Sequence, residues 1–230
     1  MQHSLGYVLR TRPYSDANVI VDLFTQDAGR ITCMARPARQ RGKVQKGHLQ
    51  PFRTLQLQWS GRGALPRLDQ TDEQLRHRIS AAQLVHGMYL NELILRLLPP
   101  QHSIISLYRD YHAALQLLVD SQEPMLVLMR FELGLMQSLG YSLSLWKNDG
   151  NGEAIGVGER YLYVIGAGII PYDHQQIQPA GVQVRGDLLV ALREPTTMSI
   201  VQYQQLRRFL DQFWLQLLSK PFNSRKLLPF

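Results

Sequence analysis

The chain is poor in sulfur ligands, and long apolar runs are missing as well. Its 230 residues include one cysteine, Cys33, which excludes a disulfide framework and any zinc site that needs two or more thiolates. No stretch reaches the roughly 18 to 20 uninterrupted apolar residues of a membrane span, since residues 127–136 are broken by Arg130 and Glu132. The opening six residues lack a basic segment followed by a long apolar one, so no secretory signal is expected. With 45% hydrophobic and 19% charged residues, the composition is that of a globular protein. These absences predict a soluble, cytoplasmic chain of one large or two small domains, with no membrane partner.

Acidic residues are scarce in one region only. Up to Leu68 there are eleven Lys/Arg against three acids, Asp16, Asp22 and Asp27, a net of +8. The remainder carries fourteen basic residues against fifteen acids, so the whole chain's +7 belongs to the first third. Such asymmetry points to a polyanion partner for one domain. Residues 36–47 hold Arg36, Arg39, Arg41, Lys43 and Lys46, no acid and little apolar content, the signature of an exposed cationic loop.

Motifs of catalysis are missing. The chain has no GxxxxGK[ST] phosphate loop, HExxH, GxSxG elbow or complete EF-hand loop; Ala154 stands where the glycine of a calcium loop belongs. The seven histidines are scattered without metal-ligand spacing. No catalytic residue and no metal ligand is therefore assigned, and the protein is expected not to be an enzyme.

The apolar pattern changes period along the chain. Residues 7–10, 19–24, 31–35, 55–59 and 65–71 are short runs rich in β-branched, aromatic and leucine residues, separated by Gly, Pro and Asp breakers. Leu55, Leu57 and Trp59 alternate with Gln56 and Gln58, the period of a half-buried strand. Five strands in about 70 residues suggest a small barrel, of which the OB-fold is the common oligonucleotide binder. Beyond Ser80 a helical period takes over: Leu90, Leu93, Ile94 and Leu97 before Pro99-Pro100, then residues 104–119, then a helix from Pro124 to a stop at Gly140. Ser199 and Gln202 form a capping box for a last helix that Pro221 closes. Tyr161 to Ile165 and Ile169 to Tyr172 look like a small β excursion. The fold class expected is α+β: a five-stranded OB barrel over residues 1–79 and a mostly helical domain over 80–230, with a β insertion at about 141–195.

In an OB barrel, single strands are held by cations that track phosphates and by rings on which bases stack. The nucleic-acid-binding candidates are Arg36, Arg39, Arg41, Lys43 and Lys46 on the loop, with Arg10, Arg12, Arg53 and Arg62 on the barrel face or rim. Of the aromatic rings, Tyr7, Phe52 and Trp59 sit at strand positions better read as core, which leaves Tyr14, in a polar turn, as the stacking candidate.

These segments also carry a resemblance. Leu9-Arg10-Thr11-Arg12-Pro13-Tyr14-Ser15-Asp16, Val21-Asp22-Leu23-Phe24-Thr25, Gly29-Arg30, Ala35-Arg36, Leu49-Gln50-Pro51-Phe52 and Trp59-Ser60-Gly61-Arg62-Gly63 occur in the order and spacing of the bacterial RecO family of DNA repair proteins. Tyr89-Leu90-Asn91-Glu92-Leu93, Arg130-Phe131-Glu132-Leu133 and Leu139-Gly140-Tyr141 continue it, and Ser224-Arg225 matches loosely. The resemblance implies a non-catalytic, nucleoid-associated recombination mediator. Such a protein binds single- and double-stranded DNA, anneals complementary strands, and with RecR helps load RecA onto DNA coated by single-strand-binding protein. It also implies that the helical domain receives the acidic, phenylalanine-ended C-terminal tail of single-strand-binding protein, for which Arg130, Arg207 and Arg208 are the candidates. Many relatives carry a four-cysteine zinc module after Leu-Gly-Tyr. Here Trp146-Lys147-Asn148-Asp149-Gly150 stands there instead, and no cofactor is expected. Pro37 replaces a glycine usual at the start of the basic loop. An RNA-binding OB adaptor, or a nucleic-acid-processing enzyme whose carboxylates assemble only in three dimensions, are the alternative readings.

Overall fold

The computed structural model describes residues 1–37, 43–61, 63–173, 175 and 177–228. Five strands, β1 (Gln2–Pro13), β2 (Val19–Thr25), β3 (Gly29–Ala35), β4 (Arg53–Ser60) and β5 (Arg67–Arg76), close into a barrel in the order β1-β2-β3-β5-β4. All contacts between neighbours are antiparallel except β3 to β5, which meet in parallel at Met34 and Arg67. The expected alternation appears as the barrel core: Val21 and Leu23, Ile31, Cys33 and Ala35, and Leu55, Leu57 and Trp59 all point inward. Burial pushes the Cys33 thiol up to about 12, with the negative charge of Asp69 adding to the shift, so this cysteine is an inert core residue.

Strand β1 breaks the alternation, because Tyr7, Val8 and Leu9 are all buried. Val8 belongs to the barrel core. Tyr7 and its cross-strand partner Phe24 face the other way, onto Tyr108 and Tyr111 of helix α2 (Ile105–Asp120). The Tyr7–Tyr111 centroids are 5.0 Å apart, and Phe24 meets Tyr111 edge-on at 5.6 Å. The register slips between Val8 and Arg10, leaving Leu9 as the extra residue of a bulge. Its carbonyl accepts from Asn91 Nδ2 of α1 (Leu84–Leu97) at 2.9 Å, and Asn91 Oδ1 accepts in turn from the Tyr111 hydroxyl. The bulge thereby keeps its backbone satisfied. At the β2–β3 turn Gly29 adopts φ +66°, and a Cβ there would lie 2.2 Å from the His102 carbonyl oxygen. Arg30 donates to the Leu98 carbonyl at 2.8 Å, tying the same turn to the end of α1.

By packing, the chain forms two compact units, Met1–Leu128 with the C-terminal segment from Phe222, and Met129–Pro221. By packing, α1 and α2 group with the barrel, α2 through the rings just described and α1 through Asn91; the division at residue 80 follows the change of hydrophobic period. In this first unit Glu92 of α1 accepts from the backbone N–H groups of Asn223 and Ser224 at 2.9 and 2.8 Å and from the Ser224 hydroxyl. Burial raises its carboxyl, but these bonds and the Arg96 charge outweigh that and hold it below the usual carboxylate range.

The second unit contains most of α3 (Pro124–Ser138), a three-stranded antiparallel sheet of β6 (Arg160–Val164), β7 (Gly168–Pro171) and β8 (Val182–Arg185), and helices α4 (Gly186–Ala191) and α5 (Ile200–Leu218). Strand β8 and α4 were not anticipated. The capping box at Ser199 and Gln202 is present, and α5 ends on Ser219 in the left-handed region. Tyr163 of β6 packs edge-on against Phe209 and Phe213 of α5. Glu132 is fully buried and receives both terminal nitrogens of Arg207, the closer pair being Arg207 Nη1 and Glu132 Oε2, together with Trp214 Nε1 at 2.8 Å. Arg207 also binds Asp211 at 3.0 Å. The Arg-Phe-Glu-Leu segment thus contributes its acid to a helix–helix lock.

Two expectations follow. Glu132→Ala leaves the Arg207 charge buried without its principal partner and should cost about 3–5 kcal/mol, read as a lower denaturant midpoint; a loss near zero would contradict the lock. In the first unit, Tyr7 Oη accepts from Thr54 at 2.7 Å and contacts His77 Nε2 at 3.2 Å and His112 Nδ1. Burial and the neighbouring His112 lower His77 to about 4, and burial lowers His112, while burial pushes Tyr7 up to about 12 against the Thr54 hydrogen bond. Unfolded histidines, near 6.5, take protons that the folded ones refuse. Stability from this cluster is therefore complete above about pH 6.5 and declines as the pH falls toward 4. Thermal melts across that window should show a shallower decline for the His77→Gln/His112→Gln variant than for the parent; equal slopes would exclude the cluster as the cause.

Candidate nucleic-acid interface

At one end of the barrel the cationic residues meet an open cavity of about 550 Å³, lined by Asn18, Met34, Arg36, Lys43, Gln58 and Arg67 among others. Val44 and Leu49 are buried in the barrel core and anchor the second half of the basic segment, and the Thr71 N–H binds the Lys43 carbonyl at 2.9 Å. That anchoring leaves Arg36, Lys43 and Lys46 exposed. The turn bearing Tyr14 is closed by the Tyr14 and Ser15 N–H groups on the Asn18 carbonyl, both at 3.1 Å, and Asn18 lines the cavity. The Tyr14 ring is 58% exposed, whereas Tyr7, Phe52 and Trp59 are buried.

Arg67 is a cavity residue that sequence reasoning did not single out. Its position at the head of a strand hid it, although it follows the Gly61–Gly63 turn and Pro66 and was part of the charge excess. It binds Asp69 at 2.6 Å. Burial raises the Asp69 carboxyl, but hydrogen bonds from Ser60 and Arg67 and the charges of Arg67 and Lys43 prevail, and it lies below the usual range. One fixed negative charge therefore sits among the rim cations.

The other candidates fare differently. Arg10 and Arg12 both reach the buried Asp22, at 2.9 and 3.4 Å, with about half of each side chain exposed. Two guanidiniums on one carboxylate leave a net positive edge facing water. Arg53 is a correction: it is mostly buried, paired with Glu73 and bound to Gln50 at 3.0 Å, so its charge is spent inside the fold. Arg39, Arg41 and Arg62 lie outside the described residues.

In the second unit Arg130 is exposed. Arg207 is again a correction, since it is buried in the Glu132 lock and offers no surface cation. Arg208 is exposed and lines a cavity of about 410 Å³ with Arg160 and Arg185, between Val184, Leu188 and Phe209. Arg160 and Arg185 had not been singled out, because the strands that carry them to Arg208 are short and far from it in sequence.

The turn that follows Leu139-Gly140-Tyr141 is held by side-chain amides and carboxylates. At this turn Asn148 Oδ1 accepts from the Gly150 and Asn151 N–H groups at 3.1 and 2.9 Å, and Asn148 Nδ2 donates to the Glu153 carbonyl at 3.0 Å. Asp149 is bound to Ser144 and to the Ile169 N–H. A buried amide fills the turn, and the only cysteine is in the barrel core. No helix among the described residues is long and apolar enough to cross a membrane.

In class, this is an OB-like barrel protein with a cationic rim, continued by helices and a small sheet. The comparisons make the class specific. Residues 1–73 match the family model described as Recombination protein O N terminal, and residues 80–226 match Recombination protein O C terminal. Proteins called DNA repair protein RecO are similar along nearly the whole chain. That of Vibrio cholerae serotype O1 is 35% identical over 223 residues, covering 96% of this chain and 91% of the relative. Those of Vibrio vulnificus and Proteus mirabilis are 35% and 34% identical, each covering 96% of this chain and 90% of the relative. The chain belongs to the RecO family, and that membership supports a function in DNA repair.

Proposed function

We propose that the chain is a non-catalytic mediator of recombinational repair that binds single- and double-stranded DNA at the barrel rim and anneals complementary strands. The observation that carries this reading is the meeting of Arg36, Lys43 and Arg67 around one barrel-end cavity, beside the turn that exposes Tyr14. These groups suit phosphates and a base face, and none is arranged to read base edges, so binding tolerates sequence. Annealing follows from the same charges. Complementary strands repel each other, and a surface that neutralises phosphates while leaving base edges free lowers the cost of bringing them together.

The finer reading has the protein act with RecR to help load RecA onto DNA coated by single-strand-binding protein. Recruitment then depends on the acidic, phenylalanine-ended tail of that coat protein. The cleft that Arg160 and Arg208 flank around Leu188 and Phe209, with Arg185 paired to Asp187 at its edge, supports this reading by its cations beside an apolar floor, and Arg130 is a further exposed cation.

Two measurements test this. Replacing Arg36, Lys43 and Lys46 by alanine should weaken single-stranded DNA binding and reduce its log–log salt slope by up to about 2 units, at roughly 0.7 per contact. Asp69→Asn should shift affinity the opposite way; an unchanged slope in the triple variant would remove the rim from the account, and preference for RNA over DNA would favour an RNA adaptor. For recruitment, calorimetry with a synthetic acidic tail peptide should show about tenfold weaker binding to the Arg160→Ala/Arg208→Ala variant. No heat from the parent protein at low salt would refute the tail site.

A further inference from the structure

The three-stranded sheet of the second unit has one closed edge and one open edge. On the β7 side the Ile169 N–H donates to the Asp149 carboxylate at 2.7 Å, and the Ile169 carbonyl accepts from the Asp149 N–H at 2.6 Å. On the β8 side the register determines what is left over. The Gly186 N–H donates to the opposite Glu159 carbonyl at 2.9 Å, and the Tyr172 N–H to the Arg160 carbonyl at 3.0 Å. Antiparallel pairs alternate between bonded and non-bonded, so Val184 and Val182 carry the ladder bonds to Tyr161 and Tyr163. Gln183 therefore turns its N–H and carbonyl away from β6, and Arg185 its N–H, and these groups meet no backbone partner across that edge among the described residues. Both residues are exposed, and with Gly181 and Val184 they line the cleft of about 410 Å³. An unpaired strand edge beside a cleft is a template for another strand.

Charge and side-chain direction select what that strand carries. Arg160 and Arg185 stand directly opposite in a non-bonded pair, the closest cross-strand spacing, and share one face of the sheet. Asp187 pairs with Arg185 at 2.9 Å, while Arg160 and Arg208 have no ion pair among the described residues. Two cations of the cleft are thus uncompensated. Val182 and Val184 share the other face with Tyr161 and Tyr163, and Tyr163 packs on Phe209 of α5. We propose that a segment of a partner protein adds to β8 as a fourth, antiparallel strand, with acidic and apolar residues alternating along it. Its acids lie on the Arg160–Arg185 face and its apolar side chains on the face of Val184 and Phe209. A nucleic acid offers this edge no amide ladder, and a second copy of β8 would set arginines against arginines. The proposal rests on the reading of this cleft as an acidic-peptide site and adds that the peptide is held by its main chain.

The test is calorimetry of the full chain with a capped Asp-Phe-Asp-Leu-Asp peptide and two versions of it, N-methylated at the central aspartate or at the leucine that follows. Strand addition points the aspartate N–H at Gln183 and the leucine N–H away from β8. Methylating the aspartate should therefore weaken binding at least about tenfold, and methylating the leucine less than about threefold. Gln183→Pro removes the partner bond from the other side and should cause a similar loss at a near-parental melting temperature, because the Gln183 N–H serves no ladder bond. Gln183→Ala, which keeps that N–H, should bind like the parent. Amide exchange at Gln183 and Arg185 should slow when the unmodified peptide binds. Equal losses from the two methylations, or parental binding by Gln183→Pro, overturn strand addition. Binding of the acidic tail peptide without binding of this one overturns strand addition alone, whereas silence of both at low salt removes the acidic-peptide reading with it. Displacement of the peptide by oligo-dT, or self-association that Gln183→Pro abolishes, overturns the proposal by assigning the edge to DNA or to a second copy.

Discussion

The structure of the first unit depends on one strand being buried on both faces. Strand β1 sends Val8 into the barrel and Tyr7 outward onto α2, where Phe24, Tyr108 and Tyr111 complete an aromatic layer. A barrel strand that faces water needs apolar residues only on alternate positions; this one is apolar on both. The cost is a bulge at Leu9, and Asn91 meets it by donating to the freed carbonyl. The helices are therefore part of how the barrel folds, and the barrel face they cover is closed to a ligand.

That covering explains where charge can be displayed. At the barrel end Val44 and Leu49 fix the segment from which Lys43 and Lys46 project, while Asp69 offsets the charge of Arg67. Cations elsewhere in the barrel are absorbed by acids, Arg53 by Glu73 and, in part, Arg10 and Arg12 by Asp22. Net charge alone does not separate these groups. Packing does, and in the proposed reading it leaves the rim as the part of the barrel that meets DNA. The second unit repeats the lesson at Arg207 and Arg208, adjacent in sequence, of which one locks Glu132 and the other lines a cleft.

Much of the fold was legible because it rests on local chemistry. Short runs rich in β-branched, aromatic and leucine residues between breakers marked five strands, and Ser199 with Gln202 marked the start of α5. Strand β8 and α4 escaped notice because Val182–Arg185 is only four residues long and α4 only six, too short for periodicity to register. The RecO-like motifs were visible as strings, but their roles were not: Asn91 and Glu92 act through partners 82 and 132 residues away. Long-range pairing likewise hid Arg67, Arg160 and Arg185 as cavity residues.

The central claim, that rim cations bring DNA strands together, is tested most directly by the rate at which the full chain anneals complementary oligonucleotides. The comparison is with an Arg36/Lys43/Lys46 alanine variant of matched thermal stability. The account requires the parent to accelerate annealing at low salt and the variant to lose most of that acceleration. Equal annealing by the two proteins would contradict it.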